Sequence, residues 1–186
     1  MGLKSLSVFF FLGVPVMSWA QQQYKLFELK QEDVIWQNVY SYSGKSDSLR
    51  PAVVTMLKSK FFTFNVIRNE KGYNGEIKHY KISAKRYNRT YMNTPRMYWD
   101  GDWTGKFIVE VVDNSYRVTV YALYYESVER STGYYKTEKP VKGRLLDAVT
   151  NKHKDRFRKS ELANLDLLSI SLKDQFDIAQ TGRIED

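Results

Sequence analysis

The stretch KFIVEVVDNSYRVTVYALYY, residues 106–125, decides the fold class of this chain. Apolar side chains at every second position indicate a strand with one buried face, here Phe107, Val109 and Val111, with Glu110 on the other side. Residues 113–115 (Asp-Asn-Ser) supply a turn into a second strand over Tyr116–Tyr125. We expect that strand to turn Val118, Val120 and Ala122 to the core and to place Arg117, Thr119 and Tyr121 on the other face. The stretch therefore predicts an antiparallel hairpin packed on one side.

One strand and one helix are predicted near the start of the domain. The strand covers Val34–Tyr42, is rich in β-branched and aromatic residues, and ends at Ser43-Gly44. Ser46–Ser48 offer helix caps, and apolar residues then recur at helical spacing, namely Leu49, Ala52, Val53, Met56 and Leu57. Pro51 fits the first turn of this helix, where backbone amides lack intrahelical partners.

Two more strands follow this helix. Phe61–Ile67 alternates Phe62, Phe64 and Val66 against Thr63 and Asn65, and residues 69–72 supply a turn. Gly75–Ser83 is its predicted hairpin partner, although its lysines make it the most polar strand. Between Ala84 and Thr104 the periodicity fades, so this segment is predicted to be an irregular connection.

The C-terminal part is predicted to close with a helix. Residues 126–160 are taken as an uncertain insertion or loop, with room for a short helix around Leu145–Lys152. Apolar residues then recur at three- and four-residue steps and end near Gly182, namely Leu165, Leu168, Leu172, Phe176 and Ala179. The element order β-α-β-β-β-β-α predicts an α+β fold, a curved antiparallel sheet of about five strands with helices on one face. We assign one domain to residues 34–182, after an N-terminal extension over 21–33.

The first twenty residues, MGLKSLSVFFFLGVPVMSWA, have the organisation of an export signal. One lysine precedes an apolar run from Val8 to Val14, and Ser18 and Ala20 form a small-x-small cleavage site. The run is shorter than the roughly 20 apolar residues of a membrane-spanning helix. We expect cleavage after Ala20 and a periplasmic or extracellular protein with no integral membrane segment; the alternative is an uncleaved N-terminal anchor.

The sequence contains no cysteine, which excludes disulfides, thiolate nucleophiles, zinc–thiolate sites and the lipid-modified cysteine of bacterial lipoproteins. Removing the lysine of the signal from the 29 basic residues leaves 28 against 21 acidic ones, a net charge of +7. This charge favours either a solvated surface tuned for solubility or adhesion to anionic envelope polymers. The apolar core must supply the stability, and 42% hydrophobic residues make that feasible.

Three segments carry a recognisable pattern, namely Val34-Ile35-Trp36-x-x-Val39-Tyr40, Gly75-Glu76-Ile77, and Phe107-x-Val109-x-Val111-x-Asp113 followed by Tyr116-Arg117-Val118-Thr119-Val120. In these segments the chain resembles a known family, the uncharacterised secreted proteins of Bacteroidota with a TATA-binding-protein-like (TBP-like) fold. The resemblance spans about residues 34–125 and implies half of a TBP-like fold and an exported protein. It implies no activity.

The fold label invites a DNA-binding hypothesis, which the sequence does not favour. TATA-binding proteins bend DNA with two such halves and wedge apolar side chains into the minor groove, whereas this chain has one half and an export signal. Fold alone does not determine function. We expect no nucleic-acid partner.

The irregular connection contains the candidate ligand-binding residues. Residues 85–99 interleave arginines with tyrosines, and long irregular loops often carry binding functions. The candidates are Tyr87, Tyr91, Arg96, Tyr98, Trp99 and Trp103. The alternative is that these aromatic residues cover a sheet edge, with arginine stems lying on them.

Catalytic and metal-binding motifs are not recognised. Asp100 and Asp102 flank Gly101 as in a calcium loop, but the twelfth position, which requires glutamate, is Val111. His79 is predicted to be an ordinary strand residue, and His153 lies in a run of charges. We therefore expect no catalytic residue, metal or cofactor.

Two functions remain as hypotheses. The first is a non-enzymatic binding module of the bacterial envelope, which contacts an envelope protein or glycan through the uncovered sheet face or the Tyr-rich connection. The second is a hydrolase acting on envelope or dietary polymers, which would need carboxylates such as Glu110 with Asp100 or Asp102 in one deep pocket.

Overall fold

The computed structural model describes residues 22–61, 64–66, 72–130 and 138–180. The export signal, most of the predicted turn at 69–72 and the expected end of the last helix near Gly182 lie outside the described residues.

Within this part of the chain, eight strands form one open, curved antiparallel sheet. The strands are β1 Gln23–Tyr24, β2 Phe27–Lys30, β3 Asp33–Ser41, β4 Phe64–Val66, β5 Gly72–Tyr80, β6 Asp102–Val112, β7 Ser115–Arg130 and β8 Glu138–Arg144. Their spatial order is β1-β2-β3-β7-β6-β5-β4, and β8 pairs with the second half of β7. The predicted hairpin, β6 and β7, lies at the centre of this order.

The helices in the described ranges are α1 Ser46–Lys60, α2 Arg96–Trp99, α3 Leu145–Val149 and α4 Leu162–Phe176. The predicted apolar side of α1 is buried at Leu49, Val53, Met56 and Leu57, while Ala52 is half-buried. Pro51 is in the second turn rather than the first, because the helix already begins at Ser46. Of the helices described, none combines the length and apolar character needed to cross a membrane.

The core lies between the sheet and helices α1 and α4. Trp36, Val120 and Phe107 face each other across β3, β7 and β6, and all three are fully buried. Phe176 at the end of α4 packs on this row, with its ring centroid 6.4 Å from Trp36 and 5.3 Å from Phe107. It also lies 5.1 Å from the ring of Phe61, which follows α1. The predicted α+β class, with an antiparallel sheet covered by helices on one face, is confirmed.

The opposite face of the sheet is open in the described structure. Val39 on β3 and Val112 on β6 are 57% and 54% exposed. Three pairs of its charged residues lie close together: Arg117 lies 3.7 Å from Glu110, Lys78 lies 2.8 Å from Glu76, and Lys142 lies 2.8 Å from Glu126.

The prediction that Ala122 faces the core is wrong. The β6–β7 register shifts here, so that Ala122 and Leu123 together oppose Gly105. Ala122 adopts a φ of 51° and is half-buried, and Leu123 takes the core position instead. Even-numbered residues of β7 therefore face the core before the bulge, and odd-numbered residues face it afterwards.

Two distant residues stabilise this bulge. The carboxylate of Asp33 accepts a hydrogen bond of 2.7 Å from the amide of Ala122. A Cβ at Gly105 would lie 2.8 Å from Cδ2 of Leu123, so the missing side chain makes room for the leucine. Because neither partner is near in sequence, alternation within β7 could not reveal the bulge.

Two segments in which no strand is predicted, the N-terminal extension and the uncertain insertion, add strands to the sheet. The 21–33 extension forms β1 and β2, a hairpin on the edge of β3. In the 126–160 segment, β7 continues to Arg130 and pairs with β8. The sheet therefore has eight strands rather than about five, and the short helix near Leu145 ends at Val149.

Helix α4 buries more of its side chains than the predicted apolar positions alone. Leu165, Leu168, Leu172 and Phe176 are buried as expected, but Ala179 lies beyond the helix in an exposed position of a 3-10 turn. Leu167, Asn164, Ser169 and Ser171 are also buried. Both buried serines form hydrogen bonds with aromatic side chains. Nε1 of Trp36 donates to Oγ of Ser169 at 3.1 Å, and the hydroxyls of Tyr80 and Ser171 are hydrogen-bonded to each other.

The same helix holds the connection between β5 and β6. The hydroxyl of Tyr87 donates to the carboxylate of Asp174 at 2.8 Å, and Arg86 lies 3.6 Å from it. Arg89 donates to the carbonyl of Ala163 at 2.7 Å. Burial, with a smaller effect of the hydrogen bond to Asp174, raises the pKa of Tyr87 to about 12.

Loss of the hydroxyl group should lower the stability of the protein at Tyr116 but not at Tyr98, although both tyrosines are buried. Tyr116 donates to the carbonyl of Phe176 at 2.9 Å and accepts from the amide of Ile178 at 3.1 Å. The hydroxyl of Tyr98 is buried and has no hydrogen-bond partner among the described residues. We expect Tyr116→Phe to lower the free energy of unfolding by about 1–3 kcal/mol, and Tyr98→Phe to leave it unchanged or raise it. Urea unfolding measures both, and an equal loss in the two variants would show that Tyr98 has a partner.

Stability should fall at alkaline pH. The pKa of Tyr87 is raised from 10.0 to about 12, and burial also raises those of Tyr40, Tyr98 and Tyr116. The folded state thus keeps these phenols protonated at pH values where the unfolded state has lost the protons. The contribution of these groups to the free energy of unfolding is therefore complete below about pH 10 and is lost as the pH rises toward 12. Urea unfolding across a pH series should show this decline, and Tyr87→Phe should make it shallower. A free energy of unfolding that stays constant up to pH 12 would contradict the raised pKa values of these tyrosines.

Candidate functional site: the connection between β5 and β6

Residues 81–101 have a defined backbone despite their lack of periodicity. A 3-10 turn over Ala84–Tyr87 ends at Asn88, whose φ of 56° is left-handed. Thr90 and Asn93 cap the next turn reciprocally, with the amide of Thr90 donating to Oδ1 of Asn93 at 3.1 Å. Gly101 closes the segment where a Cβ would lie 2.1 Å from the carbonyl oxygen of Met97, so only glycine fits.

Three of the predicted site residues meet on the surface of this connection. The rings of Tyr91 and Trp99 make an edge contact at 5.9 Å, and the guanidinium of Arg96 lies 4.5 Å from the centroid of Tyr91. Lys85 lies 6.0 Å from the centroid of Trp99, and Met92 beside them is 96% exposed. We call Lys85, Tyr91, Met92, Arg96 and Trp99 the aromatic patch.

The other three predicted residues do not join the patch. Tyr98 and Trp103 are completely buried against each other, with ring centroids 5.5 Å apart, so they offer no surface to a ligand. Nε1 of Trp103 donates to the carbonyl of Met97 at 2.8 Å. Tyr87 points to Asp174 on α4. The six predicted residues are thus divided between the surface of the connection and its packed interior.

The carboxylates required by the hydrolase hypothesis do not converge. Glu110 pairs with Arg117 on the open face of the sheet, and Asp100 pairs with Arg96 at 3.0 Å. Asp102 is on the same strand as Glu110 but eight positions away, which is about 25 Å along an extended strand. A shared pocket between Glu110 and either aspartate is therefore not formed.

Asp102 instead pairs with His79, a contact that the sequence did not reveal. Nδ1 of His79 lies 2.9 Å from Oδ2 of Asp102. His79 is in β5 as predicted, but at a register shift and with a φ of 53°, so it is not an ordinary strand residue. Its side chain is 83% exposed, and its Nε2 makes no hydrogen bond with the described residues.

A basic cavity of about 430 Å³ lies behind the connection, between β5, the end of α1 and α4. Its charged lining comprises Lys60, Lys78, His79, Lys81, Arg86 and Asp174. Lys60 donates to the carbonyl of Asp174 at 2.9 Å, and Arg86 and Tyr87 bind the carboxylate of the same residue. Arg86 and Tyr87 thus fasten the connection to α4, and Lys60 fastens the end of α1 to the same helix.

The described residues contain no group of three histidine, aspartate or glutamate side chains arranged to hold a metal ion.

Comparisons with known proteins show one likeness in architecture. No protein-family model matches the chain, and no curated protein sequence matches it. Among solved structures, the chain is similar to a TBP-like protein from Parabacteroides distasonis, with 14% identity and a TM-score of 0.44. The match covers 84% of this chain and 98% of that one. The comparison assigns no function to the chain.

Proposed function

We propose that this protein is an exported, non-enzymatic binding module of a bacterial envelope, and that an envelope protein or glycan docks on the aromatic patch. The observation that carries the proposal is the exposure of Tyr91 (46%) and Met92 (96%) beside Trp99, on a connection that is otherwise tied to the core. Large apolar side chains exposed together are typical of contact surfaces.

The rigidity of the connection supports this proposal. The backbone that carries the patch is fixed by the left-handed Asn88, by the Thr90–Asn93 cap and by the close contact at Gly101. Tyr87 and Arg89 fasten the same segment to α4. Because these contacts order the backbone before a partner arrives, little conformational entropy is lost on binding.

The chemistry of the patch suits a ligand with both flat apolar and polar surfaces. Trp99 and Tyr91 offer ring faces and edges, on which sugars or apolar side chains can stack. Lys85 adds a cation beside Trp99, and Arg96, which pairs with Asp100 at 3.0 Å, lies beside Tyr91. The open face of the sheet is the other candidate surface, since it too exposes large apolar side chains.

Substitutions in the aromatic patch should weaken binding of the partner without unfolding the protein. We expect Tyr91→Ala and Met92→Glu to weaken capture from envelope extract, or binding on a glycan panel, by about tenfold or more, as hot-spot side chains do. Tyr124→Ala is the matched control, because Tyr124 on β7 is 47% exposed but lies outside the patch. If both patch variants, shown to be folded by circular dichroism, bind the same partners as wild type, the patch is not the docking site.

Export should be visible at the N-terminus of the protein. When the full chain is produced in a Bacteroidota host, we expect to find it in the periplasmic or extracellular fraction. Its intact mass should equal that of a chain whose first residue is Gln21. Changing Ala20 to a bulky residue such as Trp should block this cleavage. An intact mass that includes residues 1–20, recovered with the inner membrane, would establish the anchored alternative.

A further inference from the structure

The segment before α4 forms a rigid platform next to β1. Thr150 and Phe157 form a β-bridge, the amide of Arg158 donates to the carbonyl of Val149 at 2.8 Å, and that of Asn151 to the carbonyl of Arg156 at 3.1 Å. These bonds close residues 150–158 into a loop whose two ends are paired. The side chains of the loop are therefore presented from a defined backbone.

A cavity of about 670 Å³ lies between this loop, β1 and the start of α4. Tyr24, Phe157 and Leu162 line it and pack against the hydrophobic core, so one wall is apolar. The volume falls in the range of about 300–1,000 Å³ that small-molecule sites occupy.

The polar lining of the cavity is positively charged. Arg156, Arg158 and Lys159 contribute three cations, and no carboxylate lines the cavity in the described structure. These three side chains make no hydrogen bond or ion pair with the described residues. Their charge is thus available to a ligand.

The nearby carboxylates are engaged by other groups. Asp166 lies 2.7 Å from Nζ of Lys25 and accepts from the hydroxyl of Tyr24 at 3.0 Å. Glu161 accepts from the side-chain amide of Asn164 at 3.1 Å and from the hydroxyl of Ser160 at 3.5 Å. Both donors are neutral, so Glu161 keeps its charge, and the three cations of the lining exceed it by two.

We propose that this cavity binds an anionic amphiphile, a molecule with one carboxylate or phosphate group on a short alkyl chain. The alkyl chain would lie on Tyr24, Phe157 and Leu162, and the oxyanion would face Arg156 and Arg158, whose planar donors match carboxylate and phosphate geometry. A ligand with both parts uses the whole site, whereas a polymer anion would leave the apolar wall uncovered and a neutral lipid would gain nothing from the cations. This site is separate from the aromatic patch.

Calorimetric titration of the protein with four probes tests the proposal. Octanoate and octyl phosphate carry both parts of the ligand, whereas octan-1-ol has only the chain and acetate only the charge. We expect at least one of the two anionic amphiphiles to bind about tenfold or more tightly than both octan-1-ol and acetate. Octanoate binding alone would indicate a fatty acid, and octyl phosphate binding alone a phospholipid-type headgroup.

Charge-removing variants locate the binding site. Arg156→Gln combined with Arg158→Gln should weaken binding of the preferred anion about tenfold and leave octan-1-ol unaffected. Lys152→Gln is the matched control, since it removes one charge from the same loop outside the cavity lining. Tyr91→Ala should also leave this binding unchanged, so that failure here and failure of the aromatic patch are distinguishable.

Three results would overturn the proposal. Equal affinity for octanoate, octyl phosphate and octan-1-ol would show an apolar groove only. Acetate affinity equal to that of the amphiphiles would show a surface anion site. Failure of both amphiphiles to bind would show that the cavity holds no such ligand. The titrations use the chain that begins at Gln21, the form expected after export.

Discussion

The contact on which the structure depends is the packing of Phe176 against the covered face of the sheet. Its ring lies within 6.4 Å of the ring centroids of Trp36, Phe61 and Phe107, which belong to β3, the end of α1 and β6. One side chain near the C-terminus thus joins elements from the whole chain. Tyr116 reinforces this packing through the backbone, because its hydroxyl bonds both the carbonyl of Phe176 and the amide of Ile178.

Once α4 is fixed by this packing, its polar side chains position the surface of the molecule. Asp166 binds Tyr24 and Lys25 of the N-terminal hairpin, and Asp174 binds Tyr87 of the connection between β5 and β6. The aromatic patch and the cavity beside Phe157 therefore lie on segments that are irregular in sequence but held by one central helix. This arrangement combines loop chemistry with the precision of a regular element, which is what a binding surface requires.

Much of the sheet was predictable because alternation reports which face of a strand is buried. Phe107, Val109, Val118 and Val120 are all fully buried, as their spacing indicates. The prediction failed at Ala122, where Asp33 and Gly105 stabilise a bulge from other strands. It also missed β8, whose lysines and proline have no strand signature; that strand forms because the long β7 offers a free edge.

By itself, the sequence determined the α+β class, since strand alternation and helical spacing are local patterns, and it excluded all cysteine chemistry. Only the tertiary structure decided which aromatic residues of the connection are available to a ligand. Tyr91 and Tyr98 look alike in sequence, yet one is half exposed and the other is sealed against Trp103. The tertiary structure likewise gathered Arg156 and Arg158 around an apolar wall that includes Tyr24. Burial in irregular segments depends on contacts with residues far along the chain, which no local pattern encodes.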